Sequence, residues 1–285
     1  MNRIDATFER LARRTEKALV GFVTAGDPDP AASLRIITAM CAAGLDLLEL
    51  GVPFSDPTAD GPVIQRSSRR ALASGTSLTR VLEMVAALRR TTQIPLVVFS
   101  YYNPILAYGA AAFRRDARGA GADGVLVVDL PPEESGELTE SWPDNGLCLI
   151  RLTSPATPPE RMRRIAACAS GFIYYISQLG VTGSGGLRPD DIAGKVQELR
   201  AVTRLPVCVG FGISTPAQVA AVARIADGVI IGSAFERLIE ENISRPDLPE
   251  ILAARVAELK RATRQPKKST PESSGDDFFN LILTF

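Results

Sequence analysis

The sequence contains no histidine. That absence removes Ser-His-Asp and Cys-His nucleophilic catalysis and takes away the commonest ligand of zinc and iron sites. General acid-base chemistry is left to carboxylates and tyrosines. Lysine is scarce as well: Lys17, Lys195, Lys260, Lys267 and Lys268 all lie away from the C-terminal ends of the apolar runs, so Schiff-base chemistry lacks its amine. The cysteines, Cys41, Cys148, Cys168 and Cys208, show no CxxC or other ligand spacing and read as small buried hydrophobes in a reducing compartment. Neither sign of charge prevails, with 32 basic residues against 32 acidic ones, which gives no field for nucleic acid or an anionic membrane. Apolar runs are strand-sized, far below the roughly 20 residues of a membrane span. The opening MNRIDATFERLARR is polar and amphipathic, with no apolar secretory core. The chain reads as a soluble, cytoplasmic protein with no nucleic-acid or membrane partner.

What is present is one theme repeated. A helical stretch ends in a small residue plus Asp, and a β-branched apolar run follows: AAGLDLLELG (42–51), GAGADGVLVVDLP (119–131) and RIADGVIIGS (224–233). A second version places proline before the run, in TQIPLVVFS (92–100) and TRLPVCVGFG (203–212). ALVGFVT (18–24), LCLIRL (147–152) and GFIYYIS (171–177) bring the runs to eight. Continuous apolarity marks strands covered on both faces, hence a parallel sheet, and amphipathic helical patterns lie between them. Eight strand-helix units in about 250 residues match a (β/α)8 TIM barrel. A doubly wound open sheet would advertise GxGxxG after an early strand, whereas the first strand here leads into TAGDPDP. The catalytic barrel is expected over 1–264. The segment 265–285 is polar and rich in Pro, Ser and Lys before an apolar end, FFNLILTF, and is expected to be a disordered tail.

Active sites of such barrels sit where strands end and βα loops begin. ELGVPFSDPTADGPVIQ (49–65) places Glu49 at the end of the second strand, with Asp56 and Asp60 on a proline-stiffened loop. Taken singly, a strand-end glutamate is more often solvated or ion-paired, and Asp56 in SDPT could be a turn former. At the other side of the mouth, VCVGFGISTP and GVIIGSAFERLI place glycines where the seventh and eighth strands stop, and LGVTGSGG follows the sixth. Exposed backbone amides and a helix opening at Gly232-Ser233 suit a phosphate, and loops after the last strands of TIM barrels commonly bind one.

The seventeen-residue stretch closely resembles the signature of the tryptophan synthase α chain family. FVTAGDP (22–28), YYNPI (101–105), VLVVDLP (125–131), GVTG (180–183), GFGIS (210–214) and ADGVIIGSA (226–234) extend the resemblance from about residue 4 to 264. It implies retro-aldol cleavage of indole-3-glycerol phosphate to indole and glyceraldehyde 3-phosphate, in the last steps of tryptophan biosynthesis. It further implies an α2β2 heterotetramer with a β subunit that carries pyridoxal phosphate, the α chain needing no cofactor or metal of its own. Carried over by position, Glu49 is the acid-base, Asp60 accepts the indole N–H, and Tyr174 assists near the glycerol moiety. Phe22, Tyr101 and Phe211 line the indole pocket, and Thr182 hydrogen-bonds Asp60 on loop closure. Gly183, Gly212, Gly232 and Ser233 bind phosphate, and Asp56 meets the partner. Two departures stand out: Gln178 replaces a frequent arginine, and Arg151 occupies a position that is apolar in many members. A self-sufficient lyase releasing free indole, a silent regulatory subunit and a related isomerase barrel are the rival readings.

Overall fold

The computed structural model describes residues 2–139, 146–177, 189–210 and 212–264. Eight parallel strands close on themselves in chain order: β1 (Ala18–Thr24), β2 (Leu47–Gly51), β3 (Leu96–Ser100), β4 (Gly124–Val127), β5 (Cys148–Thr153), β6 (Ile173–Ile176), β7 (Val207–Gly210) and β8 (Gly228–Ile231). The barrel closes where Val20 of β1 stands beside Ile230 of β8. This is the (β/α)8 barrel expected from the eight apolar runs. Among the described residues no helix is long and apolar enough to cross a membrane. The residues 265–285 lie outside those described.

Successive residues of a strand face opposite sides, so each strand feeds two cores. On β2, Leu48 and Leu50 join the layer between barrel and helices, while Leu47 joins the barrel interior and Glu49 follows it there. On β6, Tyr175 belongs to the outer layer and Tyr174 packs against the interior cluster. The helix Arg3–Arg13 closes the N-terminal end of the barrel: Ile4, Phe8 and Leu11 enter the interior core, and the Phe8 and Phe172 rings lie 6.0 Å apart. With that end plugged by apolar side chains, the C-terminal mouth is where polar chemistry can be placed.

The recurring small-residue-plus-Asp theme has a physical cause. A parallel strand begins with an amide that its neighbour does not always satisfy. Asp46, just before β2, accepts the Leu19 amide of β1 at 2.9 Å. Asp123, just before β4, accepts the Leu96 amide of β3 at 2.9 Å, and Asp227, just before β8, accepts the Val207 amide of β7 at 3.0 Å. Each carboxylate also meets a cation: Lys260 at 2.7 Å on Asp46, Arg89 at 2.7 Å on Asp123 and Arg200 at 3.1 Å on Asp227. A buried carboxylate is tolerated when it is both paired and hydrogen-bonded. These three acids therefore hold the closed end of the barrel and take no part in the mouth. Asp123→Ala leaves Arg89 half-stripped of its partner and the Leu96 amide unsatisfied, and is expected to cost about 3–5 kcal/mol. Urea unfolding measures that loss, with specific activity per folded molecule unchanged.

Candidate active site

Glu49 is fully buried in the barrel interior, flanked across the sheet by Phe22 of β1 and Val97 of β3. Among the described residues neither carboxyl oxygen has a hydrogen-bond partner. Burial without compensation disfavours the charged form, and the Glu49 carboxyl is pushed from 4.5 up to about 8. A carboxyl group that keeps its proton at neutral pH in an apolar site is an acid ready to donate.

Asp60 approaches from the loop between β2 and the helix Pro62–Ala73. Its backbone is held twice: its amide donates to the Pro57 carbonyl at 3.1 Å, and Gln65 Nε2 donates to its own carbonyl at 2.9 Å. Its side chain accepts the Tyr101 hydroxyl at 3.1 Å, and the same hydroxyl accepts the Ala59 amide at 2.9 Å. Burial lifts the Asp60 carboxyl to about 6 and the Tyr101 hydrogen bond opposes the rise. It is thus the more readily ionised of the two at neutral pH, whereas burial alone holds the proton on Glu49. Tyr101 was expected only to line an apolar pocket; its hydroxyl also positions Asp60, and its ring lies 5.1 Å from Phe54.

Tyr174 is the third member. Burial, together with the Glu49 and Asp60 carboxyls, holds its phenol well above its ordinary value, so it stays a neutral donor. The chain makes room for it at Gly210 on the adjacent strand, where a Cβ would sit 2.5 Å from the Tyr174 hydroxyl. Phe22 gains its place in the same way over Gly51, whose Cβ would come within 2.7 Å of the ring, and meets Phe99 edge-on at 5.0 Å.

Across the mouth, Gly212 adopts φ +73°, which a side chain would resist. Gly232 caps the helix Ser233–Glu241 without a side-chain bond, while the Phe235 and Glu236 amides donate to its carbonyl at 2.9 and 3.2 Å. Asp56 is exposed on the second βα loop, four residues before the half-buried Asp60. Thr182, Gly183, Phe211 and Gln178 lie outside the described residues.

Sequence reasoning missed the scaffold that ties these parts together. Arg70 makes a two-pronged bond to Asp27 at 2.7 and 2.8 Å and reaches Glu240 at 2.8 Å, while Arg66 grips Glu240 at 2.6 and 2.7 Å. Glu236, buried on the helix Ser233–Glu241, accepts the Thr24 amide, and burial beside Asp27 lifts its carboxyl to about 8. The network joins the β1 loop, the helix that follows Asp60 and the helix that opens at Ser233. Its members are far apart in the chain, and no local pattern announces it.

A family model described as tryptophan synthase alpha chain matches residues 8–266. The chain is 63% identical over 264 residues to a tryptophan synthase alpha chain from Desulfosudis oleivorans, covering 93% of this chain and all of that one. The chain belongs to the tryptophan synthase alpha chain family. A second member, from Desulfatibacillum aliphaticivorans, is 60% identical over the same share of both chains. Among solved structures, tryptophan synthase subunit alpha from Legionella pneumophila superposes with a TM-score of 0.85 at 40% identity, over 92% of this chain and 98% of that one. A tryptophan synthase structure from Mycobacterium tuberculosis gives 0.85 at 36% identity, over 93% and 99%. As a member of the tryptophan synthase alpha chain family this protein is a carbon–carbon lyase acting on indole-3-glycerol phosphate.

The burial of Glu49 carries a stability cost with a defined pH range. Its folded pKa is raised from 4.5 to about 8, so the folded chain holds a proton that the unfolded chain releases. Stability from this group is intact below pH 4.5, falls as pH rises towards about 8, and then levels. Glu49→Gln has no such proton. Its unfolding free energy should gain on that of the native chain across this window by on the order of several kcal/mol, measured as paired urea titrations against pH. Glu236 shifts in the same direction and cancels in the difference.

Proposed function

We propose that Glu49, Asp60 and Tyr174 carry the family's reaction in this chain. The carrying observation is that two carboxyls of the mouth sit in opposite settings, Glu49 buried with no partner among the described residues and Asp60 with a tyrosine hydroxyl beside it. Glu49 gives its proton to C3 of the indole ring. The resulting indolenine cation is the electron sink, so no lysine or metal is needed. Asp60, ionised, accepts the indole N–H and offsets positive charge on that nitrogen. The Glu49 carboxylate then takes the proton of the glycerol hydroxyl next to the ring. The C–C bond breaks, its electron pair returns to the indole, and glyceraldehyde 3-phosphate leaves as the aldehyde. Tyr174 donates near the glycerol oxygens, Phe22 and Tyr101 flank the ring, and Gly212, Gly232 and Ser233 hold the phosphate.

The chain works as one subunit of a complex, in this reading an α2β2 assembly whose β partner holds pyridoxal phosphate. Asp56 and the loop that carries it support this: the same short segment presents an exposed acid outward and Asp60 inward. A partner seated there would restrict the loop and offset part of its ordering entropy, on the order of 1–2 kcal/mol per residue.

Single-turnover cleavage of indole-3-glycerol phosphate tests the assignments. Glu49→Gln should lose about 10²–10⁴-fold in rate with ligand affinity retained, and normal turnover would remove Glu49 from the mechanism. Asp60→Asn should be similarly impaired. The acid limb of kcat/KM should follow Asp60, falling as pH drops through about 6. Tyr101→Phe, which removes the bond that favours the ionised form, should move that limb to higher pH. Titration with a β subunit should raise the initial rate about tenfold, equivalent to about 1.4 kcal/mol of barrier; a fast, partner-independent rate would favour a self-sufficient lyase.

A further inference from the structure

Glu236 is a carboxyl that the catalytic reading does not use, buried where an apolar residue would pack at lower cost. It lies in the first turn of the helix Ser233–Glu241 beside the buried Phe235 and Ile239, and is 0% exposed. β8 accompanies β1 only as far as the pair Gly21 and Ile231. Thr24 lies three residues beyond, and its amide donates to Glu236 Oε1. The Thr24 hydroxyl meets that of Ser67, on the helix Pro62–Ala73, at 2.7 Å. The end of β1 is thereby held to both helices that border the site, the one after Asp60 and the one after Gly232.

Among the described residues no donor reaches the second oxygen of Glu236. Its carboxyl stands instead within hydrogen-bond reach of the Asp27 carboxyl, which is 1% exposed. Carboxylates only accept, so this contact requires a proton between the two acids. Arg70 occupies both oxygens of Asp27 at 2.7 and 2.8 Å, which leaves the proton on Glu236. The remaining charges stand further out. Arg70 and Arg66 close on Glu240, one turn along the helix, while Arg237 and Glu241 are exposed. On the helix Leu248–Ala262, Arg255 turns to Glu258 and the Ser214 carbonyl. Burial, and after it the Asp27 charge, lift the Glu236 carboxyl to about 8, so its proton exchanges just above neutral pH.

We propose that Glu236 is a positioning residue for the phosphate end of the site, its proton clamping the helix that opens at Ser233 to the end of β1. The two parts it joins already touch: a Cβ at Gly232 would lie 3.4 Å from the side chain of Phe22, two residues before Thr24. With the proton in place, both contacts of Glu236 are hydrogen bonds. Without it two negative charges face each other in a buried site, and their repulsion pushes the helix from the strand. Substrate affinity therefore falls as pH rises through about 8. This inference rests on the reading that the phosphate lies at Gly232 and Ser233.

Calorimetric titration of the full Glu49→Gln chain with indole-3-glycerol phosphate, from about pH 7 to about pH 9.5, isolates this group. That background should bind without cleaving and lacks the Glu49 proton. The Asp60 carboxyl and the substrate phosphate both titrate near about 6, below the window. Affinity should fall about fivefold or more across it. Adding Glu236→Gln keeps both hydrogen bonds, its amide donating to Asp27, and should hold the neutral-pH affinity throughout. Adding Glu236→Leu gives up both, and should bind at every pH as weakly as the Glu49→Gln chain does at the alkaline end. Amide chemical-shift mapping separates two failures. Should substrate leave the Ser233 and Ala234 amides unmoved, the phosphate reading fails and this proposal with it. Should those amides move while affinity of the Glu49→Gln chain stays flat with pH, or while its fall persists in Glu236→Gln, the positioning role alone is overturned. The flat-profile outcome needs no substitution at 236, so it stands even if Glu236→Leu does not fold.

Discussion

Every second residue of each strand must enter the barrel, and the interior has room for only a few layers of side chains. That constraint governs the rest of the molecule. The lower layers are filled by Ala18, Val20, Leu47, Val97, Leu126, Ile150, Cys208 and Ile230, with the N-terminal helix sealing them from below. The upper positions on the same rows, two residues further along, go to Phe22, Glu49 and Tyr174, and glycines at Gly51 and Gly210 give the two rings their space. The proposed acid-base group is therefore a core residue by position. Glu49 sits where a valine or leucine would stabilise the barrel more, and its raised pKa is the direct result.

Carboxylates at the two ends of the barrel are treated in opposite ways. At the closed end Asp46, Asp123 and Asp227 each receive a strand amide and a cation, and none is left alone. At the mouth, among the described residues, Glu49 receives nothing, and Asp60 receives a single neutral hydroxyl. The difference separates structural acids from reactive ones. A paired, hydrogen-bonded carboxylate is locked in its charged form, whereas an uncompensated one can exchange its proton near neutral pH.

The mouth is also mechanically joined. The Asp27–Arg70–Glu240–Arg66 chain of ion pairs links the β1 loop to the helices behind Asp60 and behind Ser233. A two-pronged arginine fixes direction as well as distance. The loops that carry Asp60 and Gly232 are thereby set relative to each other by side chains that lie outside the proposed site.

All eight strands were legible in the sequence, because a parallel strand buried on both faces must be continuously apolar, and that pattern is local. Their limits were less so. TQIPLVVFS begins pairing only at Leu96, since Pro95 has no amide to donate, and GAGADGVLVVDLP contributes only Gly124–Val127 to the sheet. Glu49 and Asp60 were visible as acids where acids are costly, and the signature around them fixed the family. The cause of the repeated Asp was not visible, since each one serves the neighbouring strand about 20 to 30 residues away. Nor was the hydroxyl of Tyr101 on Asp60, 41 positions distant, or the reach of Arg70 to Glu240 across 170. A sequence determines which residues must be buried and with what period. Which of them meet, and therefore which carboxyl is left buried without a partner, is decided only when the barrel closes.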